Sequence, residues 1–156
     1  MSDMGEALAE ALDAAGIGWL LTVPVSGMAR LFDRYGERGR CLYATREEEA
    51  VAVAAGLALA GERPLVLMQQ SGVGNSLNAV FTLADAYGIY FPILVCDRTT
   101  EDPNPVQRAS ARGTGAALQA IGCTRLDLRA ESGVERFVEA LDRRSRWLVV
   151  ELRGKE

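Results

Sequence analysis

The chain has no histidine. That excludes a Ser-His-Asp triad, a histidine general base and any zinc site built on imidazole. Acid–base chemistry must then come from carboxylates, other side chains or a bound cofactor. There is no GxxxxGKS/T loop and no GxGxxG turn after a strand, so the common nucleotide-binding turns are missing. Cysteine is scarce. Cys41, Cys96 and Cys123 are widely spaced and odd in number, and read as reduced core residues of a cytoplasmic protein rather than a disulfide framework. No apolar run reaches the ~20 residues that span a bilayer. A net charge of −4 leaves no electrostatic footprint for nucleic acid or an anionic membrane. The start, Met1-Ser2-Asp3-Met4-Gly5-Glu6, is acidic and leads into an amphipathic helix, unlike a signal peptide.

What is present suits one α/β domain over residues 1–156, long enough to bury ~70% of the surface of its unfolded chain. Helical and strand-like hydrophobic patterns alternate. Met4 to Ala15 carries an apolar face of Leu8, Ala11, Leu12 and Ala15, and Gly16 and Gly18 end it. Short apolar runs predict strands over 19–23, 40–44, 65–68, 92–97, 123–128 and 147–152. Helices are expected over 28–35, 47–60, 76–87, 114–121 and 134–143. The stretch 99–112, with Pro103, Asn104 and Pro105, reads as a loop. There is no internal repeat, linker or low-complexity tail. Six strands separated by helices imply a three-layer α/β/α arrangement around a parallel sheet with right-handed crossovers. Ligands of such sheets bind beyond the carboxyl ends of the strands. Pro24-Val25-Ser26, Arg46-Glu47 and Gln70-Ser71-Gly72 each follow a strand and should share that edge.

Two features there stand out: the acidic triplet Glu47-Glu48-Glu49, opening an Ala/Val-rich helix, and the glycine turn Ser71-Gly72-Val73-Gly74-Asn75. Each has a structural explanation. Acidic residues favour a helix N-terminus, with Thr45 as cap and Glu48 as its capping-box partner. Gly72 and Gly74 would permit a tight turn, and Ser71 or Asn75 would cap the helix that follows. Ser26 would likewise cap a helix.

Taken together, the two features resemble the pyrimidine-binding (Pyr) domain of thiamine diphosphate enzymes, and within them the alpha subunit of sulfopyruvate decarboxylase and the matching half of phosphonopyruvate decarboxylase. In that family a glutamate stands nine residues before the glycine of an Ala-Ala-Gly helix, as Glu47 stands before Gly56 in Ala54-Ala55-Gly56. A strand then ends in Met-Gln-Asn-Ser-Gly-Leu-Gly-Asn. Here the chain reads Met68-Gln69-Gln70-Ser71-Gly72-Val73-Gly74-Asn75. The resemblance runs from about Leu20 to Arg98 and more weakly to Gly122. The chain departs from the pattern at Arg46 and Gln70, where the family commonly has Asn. It departs again at Asp97-Arg98-Thr99-Thr100, where a Trp-Arg-Gly signature is frequent.

The resemblance implies that Glu47 protonates or hydrogen-bonds N1′ of the cofactor's aminopyrimidine, which brings the 4′-amino group to the imino form that removes the thiazolium C2 proton. A carboxyl in a largely apolar pocket would keep that proton available. Neighbouring residues on a helix lie ~100° apart, so three successive side chains cannot aim at one point. The family register selects Glu47, leaving Glu48 and Glu49 to capping, solvent or an interface. Pro24, Ser26, Gln70, Ser71, Gly72 and Asn75 would line the cofactor site, while Asn75 and Asn78 have the alternative of bonding within the turn or across a dimer.

The Gly-Asp-Gly segment that holds Mg²⁺ and the diphosphate in this family does not occur here. The resemblance therefore implies a beta subunit carrying the diphosphate-binding (PP) domain, and a hetero-oligomer with at least two copies of each subunit. The expected substrate is a small 2-oxo acid with a sulfonate or phosphonate. Arg30, Arg98, Arg108 and Arg112 are candidates for its anion, each with surface solvation as the alternative. Two other functions stay open: a carboligase on the same cofactor, joining the decarboxylated unit to an aldehyde, and a non-catalytic assembly or ligand-sensing module.

Overall fold

A computed structural model describes residues 4–98, 100–128, 130 and 132–151. Six strands form one parallel sheet in the order β2-β1-β3-β4-β6-β5. They are β1 (Trp19–Thr22), β2 (Cys41–Tyr43), β3 (Pro64–Gln69), β4 (Ile93–Asp97), β5 (Thr124–Leu126) and β6 (Trp147–Glu151). The helices are α1 (Met4–Ala14), α2 (Ala29–Glu37), α3 (Glu47–Leu59), α4 (Val73–Ala79), α5 (Pro105–Ala120) and α6 (Gly133–Asp142). Expected strand and helix positions agree to within a few residues, apart from two helices.

The central strands are apolar on both faces because both are covered. In β3, Leu65 and Leu67 face the layer of α1, α2 and α6, with Leu8, Leu12, Leu31, Tyr35 and Phe137. Val66 and Met68 face the layer of α3, α4 and α5, with Val51, Ala54, Val73 and Leu118. β4 and β6 alternate in the same way, Leu94 and Leu148 against the first layer, Val95 and Val149 against the second. On α3 the residues that face the sheet are mostly small, Ala50, Ala54 and Ala55, which lets the helix sit close to it. The first layer is tied at its rim by Asp13, which accepts from Arg34 and from Arg38, the latter at 2.9 Å. The two guanidinium groups, Arg38 foremost, hold the Asp13 carboxyl below the usual range.

The first departure concerns residues 99–112. The expected loop is helical from Pro105, and α5 runs unbroken to Ala120. Asn104 and Pro105 are a start signal: the Asn104 side chain accepts from the Val106 N–H at 2.9 Å, and proline fills the first position, where no N–H is needed. Thr99, at the head of that stretch, lies outside the described residues, as does residue 152 of the expected last strand. The second departure is at the glycine turn. Gln70–Gly72 forms a 3₁₀ turn, α4 begins at once at Val73 rather than Ser76, and Val80–Asp85 continues as a π-helix. Neither Gly72 nor Gly74 has a positive φ, so glycine is not there to relax the backbone.

The order of strands reverses between β1 and β3, since β2 lies on the outer side of β1 and the chain returns past β1 to make β3. A crevice opens at such a reversal, beyond the carboxyl ends of the strands.

Candidate active site

At that edge the structure brings together Glu47, Gly72 and Asn75. Glu47 is the first residue of α3, half-buried, and its Oε2 accepts from Asn75 Nδ2 at 3.0 Å. Gly72 lies directly against it. A Cβ on Gly72 would stand 2.4 Å from Glu47 Cγ, 2.5 Å from Oε1 and 2.6 Å from Cδ. Real Cβ atoms do not approach that closely, so the Glu47 side chain, 25 positions earlier in the chain, occupies space that is open because residue 72 has no side chain.

The acidic triplet divides its labour. Arg46, not Thr45, is the N-cap of α3, and it makes no side-chain cap. Glu49, not Glu48, reaches back to the Thr45 N–H at 2.8 Å. Glu48 accepts from Arg46 Nε at 2.6 Å, and its own backbone N–H together with that guanidinium lowers its carboxyl from the ordinary range. Only Glu47 points at the glycine turn, as the 100° spacing of neighbours requires.

The remaining expected residues separate into three kinds. Gln70 is almost fully buried at 1% exposure. Its Nε2 donates to Gln107 Oε1 at 3.1 Å and its Oε1 accepts from the Arg98 N–H at 3.0 Å, so it fastens β3 to β4 and α5 behind the turn. Ser71 is exposed in the turn, and neither it nor Asn75 caps α4, whose N-cap is Gly72 without a side-chain bond. Pro24 and Ser26 are exposed in the loop after β1, on the same edge. Ser26 does not cap α2, whose N-cap is Met28.

The four arginines also differ. Arg30 is two-thirds exposed and faces Glu6 at 3.6 Å. Arg108 donates to the carbonyls of Asp102 and Pro103 at 2.8 and 2.9 Å, bracing the loop before α5. Arg112 is exposed on α5. Arg98 follows β4, is only 24% exposed, and lies 3.8 Å from Asp102 Oδ2. Its Nε is buried with no hydrogen-bond partner. An orphaned buried donor costs roughly 1–3 kcal/mol, and such groups often mark the place of a missing acceptor. Gln107 and Asp102 were not singled out from sequence. Reading Asn104-Pro105 as a helix start would have placed Gln107 one turn into α5.

A half-buried carboxyl at that edge can exchange a hydrogen bond or a proton with a polar atom of a ligand. Among the described residues, no group of three or more Cys, Asp or Glu is arranged to hold a metal ion, and no helix is long and apolar enough to cross a membrane. All three cysteines are free, and burial pushes the Cys96 thiol up to about 12.

Comparison with known proteins bears on this arrangement. The profile described as "Thiamine pyrophosphate enzyme, N-terminal TPP binding domain" matches residues 2–103. The chain is similar to sulfopyruvate decarboxylase subunit alpha of Methanothermobacter thermautotrophicus, 33% identical over 122 residues, which cover 76% of this chain and 74% of that one. It is similar to the subunit of the same name from Methanocaldococcus jannaschii, 35% identical over 94 residues, covering 59% of this chain and 56% of that one. The sulfopyruvate decarboxylase of Methanosarcina acetivorans is 35% identical over 89 residues, 57% of this chain but 23% of that protein.

Proposed function

Since the chain belongs to the thiamine pyrophosphate enzymes, matching their N-terminal TPP binding domain, we propose that it is the alpha subunit of a thiamine diphosphate-dependent 2-oxo acid decarboxylase of the sulfopyruvate or phosphonopyruvate type. The observation that carries this reading is the Glu47 carboxyl, placed beyond the carboxyl ends of the strands, against Gly72 and in the grip of Asn75. The cofactor, when bound, supplies the electron sink for loss of carbon dioxide. Glu47 supplies the hydrogen bond or proton at N1′ of the aminopyrimidine, which needs a carboxyl there and nothing from histidine. Gly72 and Ser71 offer the ring a surface low in side chains. Gln70, with Gln107 behind it, keeps the turn in place.

The partner is a beta subunit with the diphosphate-binding domain and its Mg²⁺, in a hetero-oligomer. Two points support a divided site. The relatives are named as alpha subunits. This chain carries exposed apolar side chains along α3 and the segment after α4: Val53 and Leu59 on α3, Phe81 in the π-helix and Tyr87 just after it. For the substrate's sulfonate or phosphonate, Arg98 is the best placed of the four arginines. It is mostly buried, close to the turn through Gln70, and has a donor to spare. A guanidinium edge matches such oxyanions in pairs.

The test is reconstitution. The chain is mixed with the beta subunit, thiamine diphosphate and Mg²⁺, and carbon dioxide release is measured over a panel of 2-oxo acids. Turnover should require both subunits and should be abolished by Glu47→Gln with folding unchanged. Full activity of that variant, or activity of this chain alone, contradicts the reading.

A further inference from the structure

We propose that Asn75 is a positioning residue for Glu47: by donating to Oε2 it sets the plane of the carboxyl and leaves Oε1 as the oxygen that meets the cofactor ring. The inference rests on the function proposed above and goes beyond it by assigning separate tasks to the two oxygens.

A glutamate at the first position of a helix, half-exposed, has many rotamers. Ordering such a side chain costs ~1.5–2 kcal/mol. A catalytic carboxyl that had to be ordered at each turnover would carry that cost in the barrier. Here two contacts order it beforehand. Asn75 Nδ2 holds Oε2 at 3.0 Å. Gly72, by lacking a Cβ, admits Cγ, Cδ and Oε1 to a place that any other residue would fill. Gly72 and Asn75 are three positions apart at the start of α4, so they share one helix face, and that face is turned to the start of α3. Among the described residues the Asn75 side chain bonds to Glu47, and it does not cap α4.

The chemistry follows from donors and acceptors. The amide nitrogen of Asn75 donates to Oε2, which can accept whether or not Oε1 carries a proton. With an N–H directed at Oε2, a proton exchanged with a ring nitrogen resides on Oε1. That is the oxygen a Gly72 Cβ would cover.

The experiment uses the reconstituted complex with thiamine diphosphate and Mg²⁺, comparing the parent chain with N75A, N75D and E47Q. The N75D side chain is isosteric with the parent amide but has no donor when ionised. The readouts are kcat, KM for the 2-oxo acid, the dissociation constant of thiamine diphosphate, the near-ultraviolet circular dichroism of the bound cofactor's imino tautomer, and melting temperature. N75A should lose at most a few degrees in melting temperature with the hydrogen bond, keep KM, lose about 10- to 100-fold in kcat as expected for a misplaced reacting group, and show a diminished tautomer signal. N75D should lose more, because a second carboxylate faces Glu47. If N75A and N75D keep the parent kcat and tautomer signal while E47Q is inactive, Asn75 has no positioning role and the role of Glu47 stands. If E47Q itself turns over normally, the underlying function is wrong and this inference falls with it.

Discussion

Replacing Gly72 by alanine separates the fold of this chain from its chemistry. Gly72 has φ −78° and ψ −14°, ordinary right-handed values open to any residue. The added methyl would lie 2.4 Å from Glu47 Cγ, whereas carbon atoms in contact prefer ~3.5 Å or more. The Glu47 side chain must therefore retreat by about 1 Å. For stability this is a small matter. Rotating a half-exposed glutamate forfeits one hydrogen bond to Asn75, worth ~0.5–1.5 kcal/mol. Gly→Ala at a compatible backbone returns ~0.4–1 kcal/mol by restricting the unfolded chain. The net change should be within about 1 kcal/mol, a shift of a few degrees in melting temperature. For activity the same displacement is large, because a 1 Å misplacement of a reacting group costs on the order of 10²-fold, ~2.7 kcal/mol of barrier. Gly74 is the control. It has nothing within 4 Å of a built Cβ, so Gly74→Ala should stabilise the chain by a similar entropic term and retain kcat. The assay is carbon dioxide release by the complex beside thermal melting of each chain. Parent-level kcat in Gly72→Ala would refute the reasoning that Glu47 must occupy the cleared position.

Arg98→Ala should raise KM for a sulfonated or phosphonated 2-oxo acid by 10-fold or more while hardly affecting one without the anion, measured by steady-state kinetics; equal effects on both would remove Arg98 from the substrate site. Asp13 has a folded-state pKa below its unfolded value of about 3.9, so its stabilisation is present above that value and is lost as pH falls through the folded one. Asp13→Asn should lower the melting temperature at pH 7, and the gap from the parent should close on acidification toward pH 3. Asn104→Ala removes the cap of α5 and should cost about 1 kcal/mol by denaturant melting, with Asn104→Asp retaining most of it.

Much of this was legible in the chain because burial on both faces of a parallel sheet writes itself as short apolar runs between helices. Trp19–Thr22, Pro64–Gln69 and Ile93–Asp97 all lie where such runs predict them. The carboxyl-edge placement of Glu47 and Gly72 followed from the same alternation. The start of α5 is hidden in the sequence because proline and asparagine break helices in the interior but open them at the first turn, and composition alone does not distinguish the two positions. For Glu47, Glu48 and Glu49, helix geometry says only that the three cannot share one target, and the family register points to Glu47. Which neighbour each takes depends on Arg46, Thr45 and Asn75 meeting in space. Gly72 shows where local sequence falls short. Its turn suggested a backbone need, whereas the reason is a side chain contributed by another helix, and no local signal in sequence carries such a contact.

In the proposed complex the Glu47 carboxyl meets the aminopyrimidine ring of a coenzyme whose diphosphate a second polypeptide holds. The most direct measurement is the distance from Glu47 to N1′ in a crystal structure of the complex with thiamine diphosphate and Mg²⁺. A hydrogen bond of about 2.7–3 Å from Oε1 is expected, with Asn75 still on Oε2. A carboxyl turned into solvent, or a ring seated away from the turn at Gly72, would contradict it.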